Sequence, residues 1–219
     1  MLINVPDLRA LDAVAVRASV ELVERVGADD LDRPTPCEGW RLRELLAHMT
    51  EQHHAFAAAF GASPSAASSP SAASSPSAAS SPSALDISGA YRAAAEMVLA
   101  AFAQDDVLDR KVELAEAPYP IPGRMAISFH FVDFVVHGWD VAQSLGVPWE
   151  LPPDVLDAAL PIAEAVPDDT SRLEPGAAFA PRRPVPPDSS TLEHILALLG
   201  RPATGAHGRR SPGRHSRTL

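Results

Sequence analysis

Residues 124–145 read Arg-Met-Ala-Ile-Ser-Phe-His-Phe-Val-Asp-Phe-Val-Val-His-Gly-Trp-Asp-Val-Ala-Gln-Ser-Leu. The stretch is apolar nearly all the way round a helical wheel, which predicts a helix lying deep inside a bundle. Gly146 follows and supplies its stop. Successive residues on a helix turn by about 100°, so Asp133 and His137 project in nearly the same direction, one turn apart. His130 lies seven residues before His137 and shares their stripe.

The segments on either side carry the same message. Over 7–27, Leu8, Leu11, Ala15, Ala18, Leu22 and Val26 recur at three- and four-residue steps, which predicts an amphipathic helix ended by Gly27. Residues 32–40 hold two prolines and a glycine and read as a loop. A second helix over 41–60 turns Leu42, Leu45, Leu46, Met49 and Phe56 inward, with His48 beside that face. Residues 61–85 repeat the unit Ser-Pro-Ser-Ala-Ala-Ser, with prolines at 64, 70, 76 and 82. Such spacing forbids a continuous helix and offers little apolar surface, so a disordered insert is expected. A third helix over 87–104 buries Tyr91, Ala94, Val98, Ala101 and Phe102. Pro118, Pro120 and Pro122 confine 107–123 to an extended or looped connection. Shorter helices are expected over 154–166 and 189–199, on either side of a proline-rich run at 181–187. Four substantial helices without a convincing strand pattern predict an all-α fold, a four-helix bundle with short extra C-terminal helices.

The chain has 219 residues, 46% of them hydrophobic, enough for one sizeable core. One domain over 1–200 is therefore expected. The formal charge of −10 argues against a nucleic-acid or anionic-membrane binder, because phosphate contact needs a basic surface. Positive charge gathers in 201–219, with Arg201, Arg209, Arg210, Arg214 and Arg217 and no acid, which reads as a disordered basic tail. The single cysteine, Cys37, excludes an intramolecular disulfide and any multi-thiolate zinc site. With no signal-like or membrane-spanning run at the N-terminus, a soluble cytoplasmic protein is expected. Neither a Gly-rich phosphate loop nor a Gly-x-Ser-x-Gly motif is present.

A carboxylate and an imidazole on an apolar helix are costly to bury unless something satisfies them, and a divalent cation would. A third ligand has to come from a neighbouring helix, and His48, within Leu45-Leu46-Ala47-His48-Met49, is the best placed. The residues also admit blander readings. His48 is equally a hydrogen-bonded core imidazole, and Asp133 with His137 a helix-stabilising pair. His130 is read as a ligand, a partner to a ligand or a rim residue. Asp140 is read as a hydrogen-bond partner to a ligand imidazole or as a surface group. Trp40 and Trp139 are expected to pack the core near the site, and Cys37 to be a small buried thiol, with an approach to the metal from the loop before the second helix as the alternative. Glu44 and Glu51 are expected in solvent, with service as base or extra ligand the alternative; His53 and His54 are expected to face solvent.

Two stretches, Pro34-Thr-Pro-Cys-Glu-Gly-Trp-Arg-Leu-Arg-Glu-Leu-Leu-Ala-His48 and Asp133-Phe-Val-Val-His137-Gly-Trp-Asp-Val-Ala, resemble the hallmarks of a known group. These are the actinobacterial metal-binding proteins related to mycothiol-dependent maleylpyruvate isomerase, within the DinB-like superfamily. The resemblance spans roughly residues 5–200. It implies that His48, Asp133 and His137 hold a divalent metal, commonly zinc, although nickel, iron or manganese also suits such a donor set. The insert at 61–85 and the Arg-rich end depart from the pattern, and no counterpart of the additional C-terminal domain of the true isomerase is expected in this sequence.

Three protein ligands leave zinc an open position, as in catalytic sites. A cation there favours thiolate over thiol, so the expected function is a thiol-dependent transferase or isomerase. The resemblance implies mycothiol as the thiol, with an electrophilic small molecule as co-substrate. A metal-dependent hydrolase is the rival enzymatic reading. A non-catalytic metal-binding or stress-associated bundle is the reading outside enzymes. A homodimer is compatible with either.

Overall fold

The computed structural model describes residues 7–62, 82–115, 117–174 and 177–202. Its helices are α1 (Leu8–Val23), α2 (Leu42–Ala59), α3 (Ala84–Phe102), α4 (Gly123–Leu145), α5 (Pro153–Ala165) and α6 (Thr191–Leu198). The first four make the expected bundle, with α1 against α4 and α2 against α3 as its most extensive pairings. Most of the insert expected at 61–85 and nearly all of the tail expected at 201–219 lie outside the described residues.

The apolar stripes read from sequence do bury. Leu42, Leu45, Leu46 and Met49 of α2, and Tyr91, Ala94 and Val98 of α3, are wholly inaccessible. α4 supplies Ile127, Phe131, Phe134, Val135 and Val136 to the interior. It ends at Gly146, whose φ of 71° is the left-handed conformation that glycine adopts without penalty. Within α4, Gly138 leaves room for the Trp149 indole to lie against the helix, where its Nε1 donates to the Val135 carbonyl.

Three local features differ from expectation, and the first two have identifiable causes. α3 begins at Ala84, inside the stretch expected to be disordered. Ser83 and Asp86 form a capping box in which Ser83 Oγ accepts from the Asp86 N–H and Asp86 accepts from the Ser83 N–H. The connection after α3 contains a short antiparallel pair, β1 (Lys111–Val112) with β2 (Ile121–Pro122). The prolines that exclude helix keep this segment extended, and two residues a side suffice to pair. Finally, 3-10 turns form at Ala28–Asp30 and Thr170–Leu173.

α5 and α6 pack together beside the bundle. Arg172, nearly buried, anchors this region by donating to the carbonyls of Pro167, Ala180 and Leu198. No helix among the described residues is long and apolar enough to cross a membrane.

Candidate metal centre

The fold brings His48 of α2 together with Asp133 and His137 of α4, so that one donor atom from each lies within 4.8 Å of the other two. The phase of each helix produces this. His48 follows the buried Leu45 and precedes Met49, which sets it at the edge of the α2 stripe facing α4. Asp133 and His137 are one turn apart on the α4 face that meets α2. Asp133 Oδ1 is 3.4 Å from His137 Nε2, and the rings of His48 and His137 meet edge to face at 5.3 Å. His48 and Asp133 are half-buried and His137 is buried.

The other nitrogen of His137 is occupied. Nδ1 lies 2.9 Å from Asp140 Oδ2, so the carboxylate fixes the ring and leaves Nε2 turned toward Asp133 and His48. Asp140 is itself wholly buried and is paired with Arg201, whose Nη2 donates to Oδ2 at 2.9 Å and whose Nε donates to Oδ1 at 3.3 Å. Cys37 Sγ donates to Asp140 Oδ2 at 3.3 Å and accepts from Arg201 at 3.4 Å.

Electrostatics follow from this crowding. Burial alone would lower the His137 pKa, but Asp133 and the hydrogen bonds to Asp140 and Cys37 outweigh it and raise the imidazole to about 10. Burial would raise Asp140, yet the His137 hydrogen bond and the Arg201 charge hold its carboxyl below the usual range. For Arg201 the pull of Asp140 likewise overcomes burial and pushes the guanidinium up.

Several sequence expectations need correction. His53, expected in solvent, is wholly buried, because it is four residues after Met49 and three before Phe56 on the same stripe of α2. His130 stands apart from the group of His48, Asp133 and His137. Its Nδ1 lies 2.7 Å from Asp12 Oδ1, and its Nε2 lies 3.1 Å from His53 Nδ1, making a buried Asp12–His130–His53 chain across three helices. Asp12 went unnoticed in sequence, although its phase between Leu8 and Ala15 places it inward. Trp40 is 36% exposed and sets its edge against the His48 ring at 4.9 Å, while Trp139 packs in the core. Glu44 accepts from the Arg41 N–H at the start of α2 and so serves as a helix cap. Arg201, expected in the tail, is buried. His54 and Glu51 are exposed.

Fold and site together define a helical bundle with a candidate divalent-cation centre between facing helices. Residues 13–142 match the family described as Mycothiol maleylpyruvate isomerase N-terminal domain, and the chain belongs to that family. The matched span contains His48, Asp133 and His137. Similar proteins are "Uncharacterized protein MT0763" of Mycobacterium tuberculosis strain CDC 1551 and "Uncharacterized protein Rv0738" of strain H37Rv. Each is 29% identical over 198 residues, covering 88% of this chain and 94% of the relative. No solved structure matches the chain significantly.

Proposed function

We propose that this chain holds one divalent metal ion, zinc in the first instance, through His48, Asp133 and His137. In this reading it acts as a thiol-dependent transferase or isomerase, with mycothiol or a similar small thiol and an electrophilic small molecule as substrates. The convergence of three donors from two helices carries the reading. Zinc with nitrogen and oxygen ligands at about 2.1 Å needs donors about 3.4 Å apart in a tetrahedron. The Asp133–His137 edge is 3.4 Å, and the group as a whole spans no more than 4.8 Å, so a small inward shift of the His48 side chain suffices. The donor set therefore fits the ion.

When bound, such an ion supplies Lewis acidity at an open position, where a thiol loses its proton readily. The chain's own groups do the rest. Asp140 fixes the His137 tautomer with Nε2 toward the other donors, and Arg201 keeps Asp140 ionised. Trp40, partly exposed beside His48, offers an apolar wall to an organic substrate. In a transfer, the thiol sulfur bonds to the electrophilic carbon and the thiol proton leaves with the displaced group. In an isomerisation, the sulfur adds to a polarised double bond and departs after rotation, so the thiol is regenerated. Membership of a family named for mycothiol supports the choice of thiol. A lone cysteine and a cytosolic thiol co-substrate support a cytoplasmic location.

Elemental analysis of the purified Cys37→Ser chain, beside His48→Ala and His137→Ala made in that background, tests the centre: about one metal per chain is expected, lost in both variants. Cobalt substitution in a Cys37→Ser background then tests the thiol, since the band expected on adding thiol has no cysteine source within the protein. A folded wild type that takes up no metal would sink the reading; metal uptake with no thiol band would leave the centre but remove the thiol chemistry.

A further inference from the structure

One oxygen at the base of the centre serves three donors. Asp140 Oδ2 faces Cys37 Sγ at 3.3 Å, His137 Nδ1 at 2.9 Å and Arg201 Nη2 at 2.9 Å. A carboxylate oxygen has two lone pairs, so three donors overcrowd it. Two of those donors, the thiol and the imidazole, become metal ligands on losing a proton. Sγ of Cys37, a ring nitrogen of His137 and a carboxylate oxygen of Asp140 all lie within 4.8 Å of one another.

We propose that Cys37, His137 and Asp140 form a second, inner site for a thiophilic divalent cation such as cadmium or zinc. It takes His137 through Nδ1, whereas the centre proposed above takes it through Nε2. A cation there takes the place of the two hydrogen bonds that Asp140 Oδ2 makes with Cys37 Sγ and His137 Nδ1; the thiol proton leaves to solvent, and His137 binds through Nδ1 with its remaining proton on Nε2. Arg201 holds Asp140 Oδ1 through Nε, while its Nη2 lies 2.9 Å from Oδ2 and 3.4 Å from Cys37 Sγ, beside the proposed ligands. Thiolate as a ligand selects soft cations over magnesium or manganese.

The protein holds the thiol in place for this. Thr35 Oγ1 accepts from the Cys37 N–H and donates to the Cys37 carbonyl, both at 3.1 Å, which pins the loop before α2. Cys37 is half-buried while Asp140 is fully buried, so a cation reaches the site from the side of the thiol. Because both sites draw on one imidazole, filling the inner one withdraws His137 from the outer one. The proposal shares that residue with the metal centre described above but stands apart from the thiol chemistry.

Titration of the full chain with cadmium tests it. An ultraviolet thiolate-to-cadmium charge-transfer band is expected in the wild type and in His48→Ala, and is expected to vanish in Cys37→Ser. Cadmium is also expected to protect Cys37 of the wild type from alkylation by iodoacetamide, a reading that needs no variant to fold. A folded wild type showing neither band nor protection overturns the inner site, even if Cys37→Ser still binds cobalt through the outer donors. Conversely, band and protection in a chain whose Cys37→Ser variant binds no cobalt would uphold the inner site and remove the outer one.

Discussion

The indole of Trp149 lies so close to Gly138 that a Cβ on that glycine would come within 2.2 Å of its Cζ2. The glycine after His137 is thus a packing requirement: it admits the ring that closes the back of α4. Gly138→Ala forces the indole or the helix to move. A loss of about 1–3 kcal/mol is expected in urea denaturation. Combined with Trp149→Ala, the two losses should fall short of their sum, because the clash disappears with the ring.

Arg201 and Asp140 are both buried and paired at 2.9 Å. Removing one partner of such a pair leaves the other charge without compensation, so Arg201→Ala is expected to cost about 3–5 kcal/mol. Asp140→Asn also releases the His137 ring. A loss of about 10–100-fold in metal affinity is expected, measured by chelator competition with circular dichroism as the check on folding. Unchanged affinity would show that His137 needs no such support.

The His53 imidazole is held well below the ordinary histidine range, first by burial and then by the charges that His130 and His54 would carry. It therefore folds neutral. The unfolded chain takes up a proton near pH 6.5, and the folded chain does so only at lower pH. Stability from this group is complete above about pH 6.5 and falls as the pH drops below it, at up to about 1.4 kcal/mol per pH unit. Urea midpoints between pH 7.5 and 5 should show the fall, and His53→Phe should flatten it.

Metal binding to the native state alone stabilises it by mass action. Zinc at a hundred times its dissociation constant is expected to add about 2.7 kcal/mol, removed by chelator. The increment should be absent in His48→Ala, measured in the Cys37→Ser background so that the inner donors do not contribute. A zinc response persisting in that double variant would point to ligands outside both groups.

What sequence made legible was phase. The stripes of α1 to α4, and the approach of His48 to Asp133 and His137, follow from residue spacing on helices whose buried faces are strongly apolar. The same rule, applied to polar residues, would have put His53 and Asp12 inside. They were missed because a histidine pair and an acid look like surface groups until their positions on the wheel are plotted. The start of α3 was hidden by composition: Ser83 belongs to a Ser/Pro/Ala run, and only its hydrogen bonds with Asp86 reveal a cap. Arg201 was illegible for a different reason. Its partner is 61 residues away, and no local pattern encodes so distant an ion pair.

That separation sets an order of events during synthesis. His48, Asp133 and His137 all leave the ribosome before Arg201 has been made, so for a time α4 carries Asp140 without its guanidinium. Until then the carboxylate has His137 and Cys37 as partners but not the charge of Arg201. The residue that completes the pairing of Asp140, and through it the support of the His137 ring, is thus made after every residue of the proposed centre.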